Sequence, residues 1–208
     1  MVIFFKILKR IVISGAMILV ITFILLGVKK IQEIKRVETY RQQVAAYFPN
    51  DEEKTQLALA VILTESKGKG ADIMQSSESA HNETGKITDV ATSIKQGIAH
   101  LNMVENKASA LGLDKWAGIQ AYNFGLGYLD FLKAKKANKT TLDLAETYSK
   151  EVLSPLLGNN KKDTYRYYHW RSLLFNGGYL YKNGGNFFYS DLVRANLTFI
   201  QWYEKLFL

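Results

Sequence analysis

Glu65 is the residue whose placement in the chain most invites chemistry. Seven consecutive apolar residues, Leu57-Ala58-Leu59-Ala60-Val61-Ile62-Leu63, run up to it with only Thr64 between. If that run is a helix, it is apolar on every face and belongs in a core, and Glu65 stands at its C-terminal end. Burial disfavours the carboxylate over the neutral acid, and the negative end of a helix disfavours it again, so the proton is expected to be held more tightly than usual. A carboxylic acid that keeps its proton near neutrality can protonate a leaving-group oxygen, the step that opening a glycosidic bond requires. A glutamate at a helix end can equally turn to solvent or pair with Lys67 or Lys69, so its neighbours must decide between the two.

The stretch that follows favours the chemical reading. Ser66-Lys67-Gly68-Lys69-Gly70 ends the helix, and Asp72-Ile73-Met74-Gln75-Ser76-Ser77-Glu78-Ser79 is dense in short hydrogen-bonding side chains that can line a groove beside Glu65. Further on, Ala121-Tyr122-Asn123-Phe124-Gly125 closes a third helical stretch with two more polar groups.

Glu65-Ser66, Met74-Gln75 and Ala121-Tyr122-Asn123-Phe124-Gly125, in that order, resemble the three motifs of lytic transglycosylases and goose-type lysozymes. The longer strings Ala60–Ser66 and Met74–Ser79 are similar to those of the bacterial lysozyme-like group exemplified by pneumococcal vaccine antigen A and by the muramidase domain of conjugative-element cell-wall hydrolases. The resemblance covers residues 47–208 and implies a mainly α, lysozyme-like domain acting on peptidoglycan glycan strands, with cleavage between N-acetylmuramic acid and N-acetylglucosamine. It implies Glu65 as the acid, Ser66, Met74, Gln75, Ser76, Ser77 and Glu78 along the groove, and Tyr122 and Asn123 bonded to substrate near the cut. Tyr148 resembles the later tyrosine that faces the acid. Asp72-Ile73 stands where transglycosylases usually have Gly-Leu before Met-Gln. Hydrolysis and transglycosylation both stay open, because they turn on a second carboxylate, for which Asp72 and Glu78 are the candidates. A non-catalytic wall-binding protein that keeps the groove is the alternative.

These residues need helices to hold them. The pattern predicts a mainly helical body, with a helix from Glu52 to about Lys67 after Asp51, a second from Thr88-Asp89 to Leu111, and a third from Asp114 that breaks at Gly125. Helical patterns continue over Tyr128–Ala137, Thr141–Leu153 and Ser190–Leu206, and two Asn-Gly-Gly sequences around Tyr179–Lys182 suit a short hairpin or a pair of tight loops. The aromatics Tyr165, Tyr167, Tyr168, Trp170, Phe187, Phe188 and Tyr189 read as core, with stacking on sugar faces as the other possibility.

Ahead of this body, Ile11 to Val28 carry no charge and are flanked by Lys9-Arg10 and Lys29-Lys30. As a helix they span roughly 27 Å, close to the roughly 30 Å of a bilayer core, and they lack the small-residue cleavage site of a signal peptide. We therefore expect a retained single-pass membrane anchor over residues 1–28, a helical stalk over 29–46 and a domain facing the cell wall. The net charge of +8 concentrates at this end: residues 1–36 hold seven of the 27 bases and one of the 19 acids, leaving 20 bases against 18 acids beyond. No basic stripe remains to track a phosphate backbone, so nucleic acid is not an expected partner. There is no cysteine, and His81, His100 and His169 lack metal-ligand spacing, so neither a metal nor a cofactor is indicated.

Overall fold

The computed structural model describes residues 2–76 and 87–207. Ser77 and Glu78, two of the groove residues expected from the sequence, lie outside them. The described chain is helical with one small sheet: α1 (Val2–Glu38), α2 (Arg41–Ala45), α3 (Glu52–Glu65), α4 (Val90–Ala110), α5 (Lys115–Phe124), α6 (Gly127–Ala134), α7 (Leu142–Tyr148), a π-helical turn (Ser149–Leu153), α8 (Ser154–Leu156), β1 (Thr164–Arg166), α9 (Trp170–Asn176), β2 (Tyr179–Tyr181) and α10 (Tyr189–Phe207).

Four helices start where a short oxygen-bearing side chain caps them. Asp51 accepts from the Lys54 amide, Asp89 from Thr92, Asp114 from Ala117 and Thr141 from Leu144. Each bond satisfies one of the amides that a first helical turn leaves without a partner. Asp114 Oδ1 also accepts from the Thr140 amide, which ties the start of α5 to the segment leading into α7.

α3 is the axis of the core. Its residues Leu57 to Leu63 are all buried, as their unbroken apolar run requires. α10 lies along it in the opposite direction: Asn196 Nδ2 donates to Thr64 Oγ1 at 2.9 Å, and Gln56 Nε2 donates to Glu204 at 2.6 Å near the other end. α4 and α5 pack together, and α5 also packs on α10; Gly118 permits the approach to α4, since a Cβ there would meet the Glu105 backbone at 3.2 Å.

Two expectations change. The segment expected as a stalk is joined to the domain: Ile34, Val37 and Val44 are buried in the same core as α3. Arg41 bonds Glu38 and Glu52 and reaches Glu204 on α10. This segment is thus a docked part of the domain rather than a free stalk. Of the two arrangements expected of the Asn-Gly-Gly turns, the pair of tight loops holds and the local hairpin does not, because β2 pairs antiparallel with β1, Thr164 opposite Tyr181 and Arg166 opposite Tyr179. Before residue 30 the described side chains of α1 are exposed, and this part of the helix is long and apolar enough to cross a membrane.

Candidate active site

Glu65 is half-buried at the last position of α3. Its Oε1 accepts a 2.6 Å hydrogen bond from the hydroxyl of Tyr189, at the head of α10. The Tyr189 ring stacks parallel to that of Tyr122, with centroids 6.1 Å apart and planes 4° apart. Tyr122 in turn donates from its hydroxyl to the Met74 carbonyl at 2.9 Å. Burial, and next the negative charge of Glu65, push both hydroxyls well above the ordinary tyrosine range, so both stay protonated as donors.

The loop after α3 is held from below. Ser66 Oγ accepts from the Gly68 amide and donates to the Ile73 carbonyl at 2.7 Å, folding the chain back on the helix end. Asp72 Oδ1 takes three donors, the Ser93 hydroxyl at 2.8 Å, the Ser76 amide at 3.0 Å and the Ser76 hydroxyl at 3.4 Å. Ser93 Oγ also accepts from the Met74 amide at 3.0 Å, so one serine of α4 fixes the loop through two contacts. Met74 and Ser76 are buried, whereas Gln75 between them is exposed with a left-handed backbone (φ 49°), its Nε2 donating to the Asp72 carbonyl at 2.8 Å.

Of the residues anticipated from the sequence, Glu65, Ser66, Met74, Gln75, Ser76 and Tyr122 therefore come together around the end of α3. Asn123 is exposed beside them, its Oδ1 accepting from the Asn186 amide at 2.7 Å. Gln120, one helical turn earlier and buried, binds the Asn186 carbonyl and the Ser190 amide, so α5 holds the chain that leads into α10 at two points. Tyr148 is buried in a ring cluster with Phe124, Tyr128 and Phe131. The tyrosine whose hydroxyl bonds Glu65 is Tyr189, which the sequence reading gives to the core or to a sugar face and not to the acid. Asp72, a candidate second carboxylate, has Oδ1 engaged in building the loop. Ser93, Asn186 and His100, whose Nε2 meets the Tyr122 carbonyl at 3.2 Å, carried no signal in the sequence that set them apart.

A helical domain built around a buried helix that ends in Glu65 is what a lysozyme-like protein requires, and residues 34–197 match the family described as lysozyme-like: the chain belongs to it. It is 46% identical over 172 residues to pneumococcal vaccine antigen A of Streptococcus pneumoniae, covering 82% of this chain and 83% of that one. Over 113 residues it is 37% identical to a bifunctional muramidase/DL-endopeptidase of Bacillus subtilis, covering 54% of this chain and 32% of the other. A Staphylococcus aureus protein of known structure, described as similar to a lipoprotein of the NLP/P60 family, aligns with a TM-score of 0.69 at 32% identity, over 78% of this chain and 52% of that one.

Proposed function

We propose that this protein is a peptidoglycan glycosidase that uses Glu65 as general acid at the bond between N-acetylmuramic acid and N-acetylglucosamine. The observation that carries the reading is the 2.6 Å bond from Tyr189 to Glu65 Oε1 at the end of an apolar helix. With Oε1 fixed as an acceptor, the acid's proton belongs on Oε2, and the carboxyl plane is set by a donor that does not ionise in the working range. Glu65 gives that proton to the bridging oxygen as the bond to the anomeric carbon breaks, and the carboxylate left behind is stabilised by the same Tyr189 hydroxyl. Gln75 and Asn123, both exposed, form the polar side of the groove that orients the strand, Ser76 and Tyr122 are buried beneath them and hold the loop through Asp72 and the Met74 carbonyl, and Tyr148 supports it through the Phe124 ring. The muramidase named among the relatives supports the substrate class. With α1 in the membrane, the domain faces the wall.

Mass spectrometry of purified peptidoglycan treated with the full-length protein in detergent tests the proposal. New muropeptides are expected with the natural chain and none with Glu65→Gln, whose circular dichroism and melting should match the parent. Reducing ends would assign hydrolysis, anhydro-muramic ends transglycosylation. Absence of fragments from the natural chain, or lysis by a folded Glu65→Gln variant, would falsify the assignment.

A further inference from the structure

α9 presents its apolar stripe outward. Trp170, Leu173 and Leu174, at helical i, i+3, i+4 spacing, are 61%, 50% and 80% exposed, and Tyr168 just before the helix is 81% exposed. The inward face is covered by Ser172, which is buried, and by Phe175 against Phe187 and Phe188. The helix is therefore firmly seated, with its most apolar side left to the surroundings.

Contacts between helices show at which end of the domain this helix lies. α1 runs unbroken from its apolar half into the core, and Lys30, about 3 Å along the helix beyond Val28, donates to Asn196 on α10 at 2.6 Å. Just past the end of α1, Arg41 at the head of α2 meets Glu204 further along α10, and Glu52 at the start of the antiparallel α3. α10 thus runs parallel to α1, and its N-terminal end points back toward the bilayer. Asp191 lies roughly 7 Å back from Asn196 in that direction, and Arg171 of α9 bonds it at 2.8 Å. α9 consequently lies at the end of the domain from which the apolar half of α1 leaves it.

We propose that the α9 face made by Tyr168, Trp170, Leu173 and Leu174 is a second membrane contact that lays the domain on the lipid surface beside its anchor. The proposal rests on α1 spanning the bilayer. Tryptophan and tyrosine beside aliphatic side chains suit the headgroup boundary, where an apolar body and a polar tip are both accommodated. Two leucines at the centre of the stripe favour lipid over a sugar strand, which stacks on aromatic faces and gains little from leucine. Two contacts would fix the orientation of the groove relative to the membrane, where a single flexible tether would not.

Spin labelling of the full chain in phosphatidylglycerol/phosphatidylcholine vesicles tests this, since the chain has no cysteine and each introduced one carries the only label. Leu174→Cys is the test site; Leu206→Cys, 72% exposed at the far end of α10, is the aqueous control. The label at 174 is expected to collide with oxygen several-fold more, and with a water-soluble nickel chelate several-fold less, than the label at 206. Equal nickel accessibility at both sites would overturn the proposal, as would a label at 174 that stays in water and is immobilised only when soluble glycan strands are added. The readout needs no cleavage: a label at 174 in water on protein that still cuts the wall sinks the membrane contact alone, and a label in lipid on protein that does not cut leaves it standing.

Discussion

The Tyr189 hydroxyl reaches Glu65 across 124 positions of chain and binds Oε1 at 2.6 Å, while the Tyr189 ring stacks on Tyr122. Tyr189→Phe removes the donor and keeps the ring. A hydrogen bond to a charged group contributes about 1.5–3 kcal/mol, so kcat should fall roughly 10- to 150-fold with little change in melting. A donor to a carboxylate favours its ionised form, and the acid must be protonated to act, so the basic limb of the kcat/KM profile should move to higher pH in the variant. An unchanged profile would mean that Tyr189 serves only packing.

Why this pair was invisible in the sequence is a matter of contact distance along the chain. Helix starts are local events, and Asp51, Asp89, Asp114 and Thr141 announced them because each cap bonds an amide three residues on. The place of Glu65 at the end of a buried helix was legible for the same reason, through the apolar run that precedes it. Tyr189 stands next to Phe187-Phe188, which are wholly buried, and nothing local separates a tyrosine that fills the core from one that fills it and also serves an acid. The pairing of β1 with β2 was hidden likewise, since Tyr179–Tyr181 carried turn signals on both sides but none for the Thr164–Arg166 partner. Burial of Ile34 and Val37 depends on surfaces of α3 and α10 that a helical period alone does not reveal.

Asp72 separates a structural from a chemical carboxylate. Three donors converge on its Oδ1, and an asparagine oxygen can accept the same bonds. Asp72→Asn is expected to keep kcat within about tenfold. Asp72→Ala leaves those donors without that acceptor, and at about 1–3 kcal/mol for a lost buried bond it should lower the melting temperature and raise KM through the loosened Met74-Gln75-Ser76 loop. Steady-state kinetics on both variants decide the matter: loss of kcat by several orders in Asp72→Asn, with KM kept, would make Asp72 a reacting group.

Gly97 governs the same loop from the other side. A Cβ there would lie 2.5 Å from both Cβ and Sδ of Met74, and the near one cannot be relieved by a rotamer change. Alanine in a helix interior ordinarily gains up to about 1 kcal/mol over glycine, but overpacking costs about 1–3 kcal/mol, so Gly97→Ala should be destabilising. The shifted Met74 carbonyl would also strain the bond from Tyr122. Denaturant melts of Gly97→Ala, Met74→Ala and the double variant should show the double more stable than the sum of the singles predicts.

His100 supplies a pH dependence that does not involve catalysis. Its ring packs on Tyr122 with centroids 4.7 Å apart, and burial holds its pKa below the ordinary 6.5, partly offset by the bond to the Tyr122 carbonyl. The folded protein therefore keeps this imidazole neutral at pH values where the unfolded chain has already taken up a proton. With more protons on the unfolded state, stability rises with pH in that window: it is fully present above pH 6.5 and is lost as pH falls from 6.5 toward the depressed folded value. His169, lowered by burial and then by Arg171, acts with the same sign. His100→Gln keeps a donor for the Tyr122 carbonyl and cannot titrate. Melting temperatures measured from about pH 7.5 down to about pH 5.5 should fall less steeply in this variant than in the natural chain, and equal slopes would show that His100 already carries its proton in the fold.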